Sequence, residues 1–439
     1  MEINNKYKSL DRDIFNQSIE LSKSIFPLHR SISGDGIDKA FEILKEKTEC
    51  KVHEYKTNEQ VLDWVIPKSW KCNNMYIIDT KSNKKIIEFD HPLRVASHSI
   101  PVDRKIIGKE LKDNLVHSEK YPNNLMHRYY YYDDKWSISV KKSEYENILD
   151  DNYYRVLIDS VKYDGSLKTG ELLLNGEEDR QVLFLSHICH PAQFNDGLVG
   201  AALNIYLYNY IKKYFKKTRY TYKFLFLPET IGSIAYCSNQ SLLDNSHYAI
   251  FSEMIALNQK IHIQQSLNKE DHINTLLEVT LKDLSIEADF SPYLKVIRND
   301  EKVFNSPGID IPSASLTRAY APGSKDAPFY GYHTDLDSIE NSNLEKFEEV
   351  IKIYQYLLHI TELDCYVKRN FAGLPMLSRH NLFTDPLVDR DLYNKTESLI
   401  WKLDGDNTIS KISNELDINF CKLYEMLINW QKSGLVSFL

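Results

Sequence analysis

The sequence predicts an α/β protein: a mixed, mostly parallel sheet flanked by helices, with an inserted mainly β domain and a C-terminal helix-turn-helix. Three observations carry this. From about residue 165, buried-strand runs alternate with helical periodicity, the pattern of a parallel sheet with helices on its faces. The stretch 61–164 breaks that rhythm with short strand-like runs. After residue 375 the strand signals stop and helical stretches follow. The chain therefore divides into 1–60 with 165–375 as the α/β domain, 61–164 as the insertion, and 385–439 as the helix-turn-helix domain. At 439 residues, one core is too small a unit for the whole chain.

Composition sets the class. The chain is 42% hydrophobic and 26% charged with formal net charge −8, so it offers no pull towards nucleic acid or an anionic membrane. No apolar run approaches the ~20 residues of a membrane span. Residues 1–6 lack the apolar core of a secretory signal, and the six cysteines show no paired spacing. The expected location is cytoplasmic.

Segments 13–26 and 36–47 place apolar residues at helical spacing, including Ile14, Ile19, Leu21 and Ile25, then Ile37, Phe41 and Leu44. Phe26-Pro27 to Gly34-Asp35-Gly36 joins them as a turn-rich connection. In the insertion, 75–78 and 136–140 read as strands beside the aromatic cluster Tyr129 to Tyr132. Next, 169–175 and 181–186 read as strands, 198–213 as a helix, 222–227 as a strand, 233–243 as a helix and 247–252 as a strand. Segment 341–363 is a long helix carrying Phe347, Ile351, Tyr354, Leu357 and Leu358. Last come 409–416, a break at Asp417-Ile418-Asn419, and 420–432, the helix-turn-helix. Residues 385–439 hold nine acidic against six basic side chains, the wrong sign for a duplex-binding face. Leu423, Leu427 and Trp430 follow the spacing of a packed face, so docking onto the core or a partner is the expected role.

The chemistry gathers where the strands end. Val182-Leu183-Phe184-Leu185 is a buried run; His187 stands where it finishes, and Pro191 cannot continue it. Asp196 follows nine positions after His187, and a helix opens near Gly197. Phe224 to Leu227 leads to Glu229, and Tyr248 to Ser252 leads to Glu253. A turn-rich loop, Phe329 to Asp337, carries His333. Ligands gather at the carboxyl ends of strands in open α/β sheets. Two imidazoles and three carboxylates suit Zn²⁺, with Mn²⁺ or Co²⁺ as alternatives. A carboxylate left free of metal can serve as general base, which makes the reaction class metal-assisted hydrolysis. Each residue also has a plain reading: a strand-end histidine is often structural, and Glu229 can cap the helix after it. Four such elements in one α/β region favour the site. Cys189 and His190 are adjacent, so a nucleophile pair is disfavoured, and His190 reads as structural or pocket-lining. Asp300 and Glu301 either bind a substrate amine or form a solvated turn.

The order His187, Asp196-Gly197, Glu229, Glu253, His333-Thr334 resembles the zinc aminopeptidases and glutamate-carboxypeptidase-like enzymes of the co-catalytic zinc exopeptidase superfamily. The whole chain is still more similar to a bacterial group of aminopeptidase-like proteins associated with polysaccharide biosynthesis. That group combines the catalytic core with an inserted domain and a C-terminal winged helix. Its marks include Phe26-Pro27 with Arg30-Ser31-Ile32-Ser33-Gly34, Trp64 to Trp70, Ser186-His187-Ile188-Cys189-His190-Pro191, Pro228-Glu229-Thr230-Ile231-Gly232-Ser233, Asn299-Asp300-Glu301 and Tyr332-His333-Thr334. The resemblance implies that His187, Asp196 and Glu253 hold one ion, that Asp196 and His333 hold another, and that Glu229 is the general base. Two positions depart from the pattern. Thr230 stands where a second Glu is expected, and Cys189 where an Asp orients the first His.

The resulting expectation is a zinc-dependent hydrolase of aminopeptidase type, with one or two Zn²⁺ ions, acting on an amide of a small peptide or amino-sugar. It would use neither membrane nor nucleic acid, and a homo-oligomer is left open. The alternative is a catalytically inactive metal-binding scaffold, or a regulator using the winged helix on a partner or DNA.

Overall fold

The computed structural model describes residues 10–439; the stretch 1–6, read above for a signal core, lies outside them. The described chain forms two compact units, Asp11–Leu267 with Phe290–Phe347, and Asn268–Asp289 with Glu348–Leu439.

The larger unit holds seven strands, and residues Phe290 and Ser291 of the edge strand, of an eight-stranded sheet. The sheet's strands are β1 (Lys51–Lys56), β2 (Ser166–Leu174), β3 (Gln181–His187), β4 (Thr221–Leu227), β5 (Ser246–Ser252), β6 (Ile261–Gln264), β7 (Ala288–Ser291) and β8 (Ser313–Thr317). They lie in the order β1-β2-β4-β3-β5-β8-β6-β7. The central four, β4, β3, β5 and β8, are parallel; β1, β2 and β6 are antiparallel to their neighbours. Every residue of β4 is buried, as is β3 from Val182 onward. This is why those runs are apolar throughout rather than alternating. Register then sets the site. His187 lies opposite Leu227 and Leu185 opposite Phe251, so His187 comes level with position 253, and Glu229 lies just past the end of β4.

Four helices belong to this layer: α1 (Arg12–Ile25), α2 (Asp35–Lys47), α3 (Val199–Tyr214) and α4 (Ile231–Ser238). Helix α3 is apolar on nearly all sides and buried along most of its length. The predicted helix 198–213 starts at Val199, after a π-turn over Phe194–Leu198. The predicted helix 233–243 breaks at Asn239, whose backbone leaves the helical region, and resumes as a 3₁₀ turn over Gln240–Leu242. Strands β6, β7 and β8 were not predicted. They are four or five residues long, and Ser313-Ala314-Ser315-Leu316-Thr317 has no apolar run to announce its burial.

The insertion carries its own antiparallel sheet, ordered Lys84–Glu88, Ser69–Asp79, Tyr153–Tyr163, Val102–Ile107, over a core that includes Trp70, Met75, Ile77, Leu111 and Val156. The predicted strand 136–140 shortens to Ile138–Ser139. In the smaller unit, helices Arg390–Lys402, Ile409–Leu416 and Phe420–Lys432 accompany a three-stranded sheet of Asp404–Thr408, Tyr366–Arg369 and Val436–Phe438. Leu423, Leu427 and Trp430 are buried. The Phe420 amide donates to Asp283 at 2.9 Å and Asn414 to Glu278 at 2.9 Å, which packs the helix-turn-helix on helix His272–Asp283. No described helix is long and apolar enough to cross a membrane.

Candidate metal centre

Three loops at the carboxyl ends of β3, β4 and β5 present the site, and each is held from behind. Past β3, the buried Arg30 guanidinium donates to the carbonyls of Ile188 at 2.8 Å, of Ile25 at 2.5 Å and of His190. Arg30 is thus the brace for the His187–His190 turn. Asp196 follows in a tight bend whose amide donates to Asp337 at 2.9 Å, beside the Asn195 amide at 2.7 Å. Gly197 at φ 127° completes it; a Cβ there would lie 3.0 Å from the His187 carbonyl oxygen, so only glycine fits. Past β4, Thr230 holds φ 61°, a strained value for a β-branched residue. Its amide donates to Asp300 at 2.8 Å, which fixes the turn that aims Glu229. Past β5, Met254 donates its amide to the Asn195 carbonyl at 2.7 Å, locking the Glu253 loop to the Asp196 loop.

These braces bring all five predicted residues together. His187 Nε2 lies 3.0 Å from Glu253 and 3.5 Å from Asp196 Oδ1. His333 Nε2 lies 2.9 Å from Asp196 Oδ2. Within His187, Asp196 and Glu253, and likewise within His190, Asp196 and His333, one ligand atom per residue lies within 4.8 Å of the others. Asp196 Oδ2 and His333 Nε2 are buried yet make no hydrogen bond of acceptable geometry. Orphaned donors and acceptors in a dry pocket are costly, and a divalent cation answers both. The nitrogen and carboxylate donor set fits zinc. Glu229 belongs to neither triad; its carboxylate reaches to 3.4 Å from His190 Nε2 and its side chain is 30% exposed. It makes no cap for α4, whose first turn is closed by backbone bonds from Ile231 to Glu229 and from Gly232 to Pro228.

Charge in the cluster is crowded. Burial alone would pull His187 down, but hydrogen bonds to Cys189 and Glu253, and the charges of Glu253 and Asp196, outweigh it and hold it well above its ordinary value. Burial pushes Glu253 up, with His187 opposing and Asp196 and Glu229 adding repulsion. Burial likewise raises Glu229, with Asp196 and Asp300 contributing and the nearby imidazoles opposing. Asp196 goes the other way: burial would raise it, but the imidazoles of His190, His333 and His187 outweigh that and hold it well below the usual carboxylate range.

Other predicted residues land differently. Asp300 and Glu301 are completely buried, which excludes the solvated turn. Asp300 accepts from the Thr230 amide and from Ser233 Oγ at 2.6 Å. Glu301 accepts from the Asn299 amide at 3.1 Å and from Gln264 at 3.1 Å, and Asn299 in turn donates to Glu253 at 2.5 Å. Cys189 is buried and its thiol pushed up by burial, the opposite of an activated nucleophile. Its Sγ instead contacts His187, lies 3.4 Å from His190 Nδ1 and accepts the Glu229 amide at 3.2 Å. It stands where the orienting Asp was expected.

No pattern in the chain singles out His127. It lies in the insertion, 127 positions from the start and 206 before His333, yet its amide donates to the His333 carbonyl at 2.8 Å. Its ring packs at 5.0 Å from His190 and 5.1 Å from His333, and its buried Nε2 has no partner. Tyr129, stacked on Tyr131 at 4.5 Å, follows at 5.8 Å from His127.

The fold is that of the zinc aminopeptidases. It superposes on BSAP, a zinc aminopeptidase from Bacillus subtilis, with TM-score 0.60 and 13% identity, covering 82% of this chain and 96% of that one. A peptidase M28 precursor from Shewanella amazonensis gives 0.57 at 12%, covering 82% and 95%. Residues 19–364 match the family described as a domain of unknown function, DUF4910, and the chain belongs to that family. A Clostridium acetobutylicum protein named "Putative polysaccharide biosynthesis protein with aminopeptidase-like domain" is 30% identical over 431 residues, 96% of each chain. The crystal structure of a "putative peptidase" from that organism shares 27% identity with TM-score 0.85, covering 100% and 98%.

Proposed function

We propose that this protein is a zinc-dependent hydrolase of aminopeptidase type that cleaves the amide of a small peptide or of an aminoacylated or N-acylated sugar. The observation that carries the reading is the pair of ligand triads sharing Asp196, with the part-exposed Glu229 beside them and in neither. His187, Asp196, Glu253 and His333 would hold the metal. When bound, zinc supplies Lewis acidity, polarising the amide carbonyl and acidifying water. Glu229, its carboxyl raised by burial, takes the proton of the attacking water and returns it to the leaving amine. Asp300 holds the Glu229 turn through the Thr230 amide, and Glu301 acts through Asn299 on Glu253, contacts that support a positioning role for both beside the substrate contact expected of them. The sugar-amide option rests on the name of the Clostridium relative. Six cysteines outside any disulfide fit a reducing, cytoplasmic compartment.

Metal analysis and amide turnover on the same preparations test this. Wild type is expected to carry zinc, His187→Ala to lose it, and Glu229→Gln to keep it while turnover of aminoacyl anilides or aminoacyl sugars falls by about 10²–10⁴. A zinc-replete wild type without metal overturns the reading. Loss of metal in Glu229→Gln makes that residue a ligand and leaves the reaction without its base.

A further inference from the structure

The two sides of Asp196 are not equally furnished, and the difference assigns a role to His190. Towards Oδ1 stand His187 and Glu253, an imidazole and a carboxylate. Towards Oδ2 stands His333, and no second carboxylate joins it: position 230, next to Glu229, is a threonine whose amide is tied to Asp300. The third group within ligand distance of Asp196 and His333 is His190. Its Nδ1 is turned back, 3.2 Å from His187 Nδ1 and 3.4 Å from Cys189 Sγ. That leaves Nε2 facing forward, 3.4 Å from Glu229. The backbone is fixed by the Arg30 hydrogen bond to the His190 carbonyl, and the ring is 4% exposed, so the nitrogen is held in place rather than free to turn to solvent. Three protein ligands with one position left open is the arrangement of a catalytic zinc.

We propose that His190 is a metal ligand which, with His333 and bridging Asp196, completes a second divalent site, so that the chain takes two ions. The inference rests on the hydrolase reading for its first site and goes beyond it in naming His190 as the second site's third ligand and in metal preference. The first site offers one nitrogen and two carboxylates; the second offers two nitrogens and the shared carboxylate. Imidazole favours zinc and cobalt over manganese, whereas carboxylates accept manganese. The second site therefore selects zinc or cobalt, and manganese fills the first alone.

Equilibrium dialysis of the full chain against zinc, with metal counted by mass spectrometry, is the test. Two zinc ions per wild-type chain and one in His190→Asn support the proposal, as does a single manganese ion in wild type. X-ray absorption of the zinc-saturated wild type requires no variant and covers the case in which His190→Asn fails to fold. Three imidazoles shared by two zinc ions support the assignment, and two imidazoles overturn it. Two zinc ions retained in a folded His190→Asn also overturn it. One zinc in wild type, unchanged in His190→Asn, overturns it while leaving the hydrolase reading intact on its first site. A wild type without zinc overturns both.

Discussion

Two buried polar clusters lie on the same sheet and solve opposite problems. On β2, Glu171 is 3% exposed, accepts the Tyr236 hydroxyl and faces Lys223 and His53, each at 3.8 Å. The lysine ammonium also donates to the Leu242 carbonyl at 2.6 Å. One acid meets one base, and the charge closes on itself. At the strand ends, Asp196, Glu253 and Glu229 meet imidazoles as their ion-pair partners, and Asp196 Oδ2, His333 Nε2 and His127 Nε2 remain without hydrogen bonds. His53 Nε2 beside Glu171 is also buried without a hydrogen bond, so the contrast lies in charge: one carboxylate against a lysine there, three carboxylates against imidazoles at the strand ends.

Metal separates the two most strongly. Zinc at 100 to 1,000 times its dissociation constant is expected to add about 3–4 kcal/mol of stability, seen as a rise in melting temperature that a chelator reverses. The increment should be the same in Glu171→Gln as in wild type, since that cluster binds no ion. A zinc response abolished in Glu171→Gln would break the comparison.

Acid acts on the other cluster. Burial pushes Glu171 up, but the nearby His53 imidazole, the Tyr236 hydrogen bond and the Lys223 charge outweigh it and bring it from 4.5 down to about 2. A carboxyl with a depressed folded value stabilises the native state above its unfolded value, and that stability is lost as pH falls through the folded value. The contribution is on the order of 3 kcal/mol, present above about 4.5 and lost towards about 2. Urea unfolding across that range should show a shallower acid loss in Glu171→Gln than in wild type; equal slopes would remove Glu171 as a source of acid lability.

The smallest expected effect is at His127. Its Nε2 is buried without a partner beside His190 and His333; as a hydrogen-bond group for substrate it would contribute about 1–2 kcal/mol. His127→Ala should therefore lose about tenfold or somewhat more in kcat/KM with metal content unchanged. Loss of an ion instead would move His127 into the ligand set.

The reach of the sequence follows from distance along the chain. The β3 run ending in His187, the β4 run ending before Glu229 and the β5 run before Glu253 were legible because a buried parallel strand is apolar throughout and its end is marked by the first polar residue. Helix boundaries held where capping and periodicity agreed, as at Asp11 ahead of α1, whose side chain accepts the Asp13 and Ile14 amides. Strand β8 was missed because Ser313 to Thr317 owes its burial to neighbours rather than to its own side chains. The reading of His190 as structural or pocket-lining leaves open where Nε2 points, a matter of the Arg30 brace and the Cys189 contact.

Sequence by itself determined the α/β class, the strand ends and the acids and imidazoles they carry, since hydrophobic pattern and residue chemistry are local. Tertiary structure alone decided that β3 and β5 pair in the register that sets His187 level with Glu253. It also decided that the insertion delivers His127 beside His333, and that Asp300 and Glu301 stand behind the site. Those contacts join residues far apart in the chain, and only the packing of the sheet, its loops and the insertion fixes which of them meet.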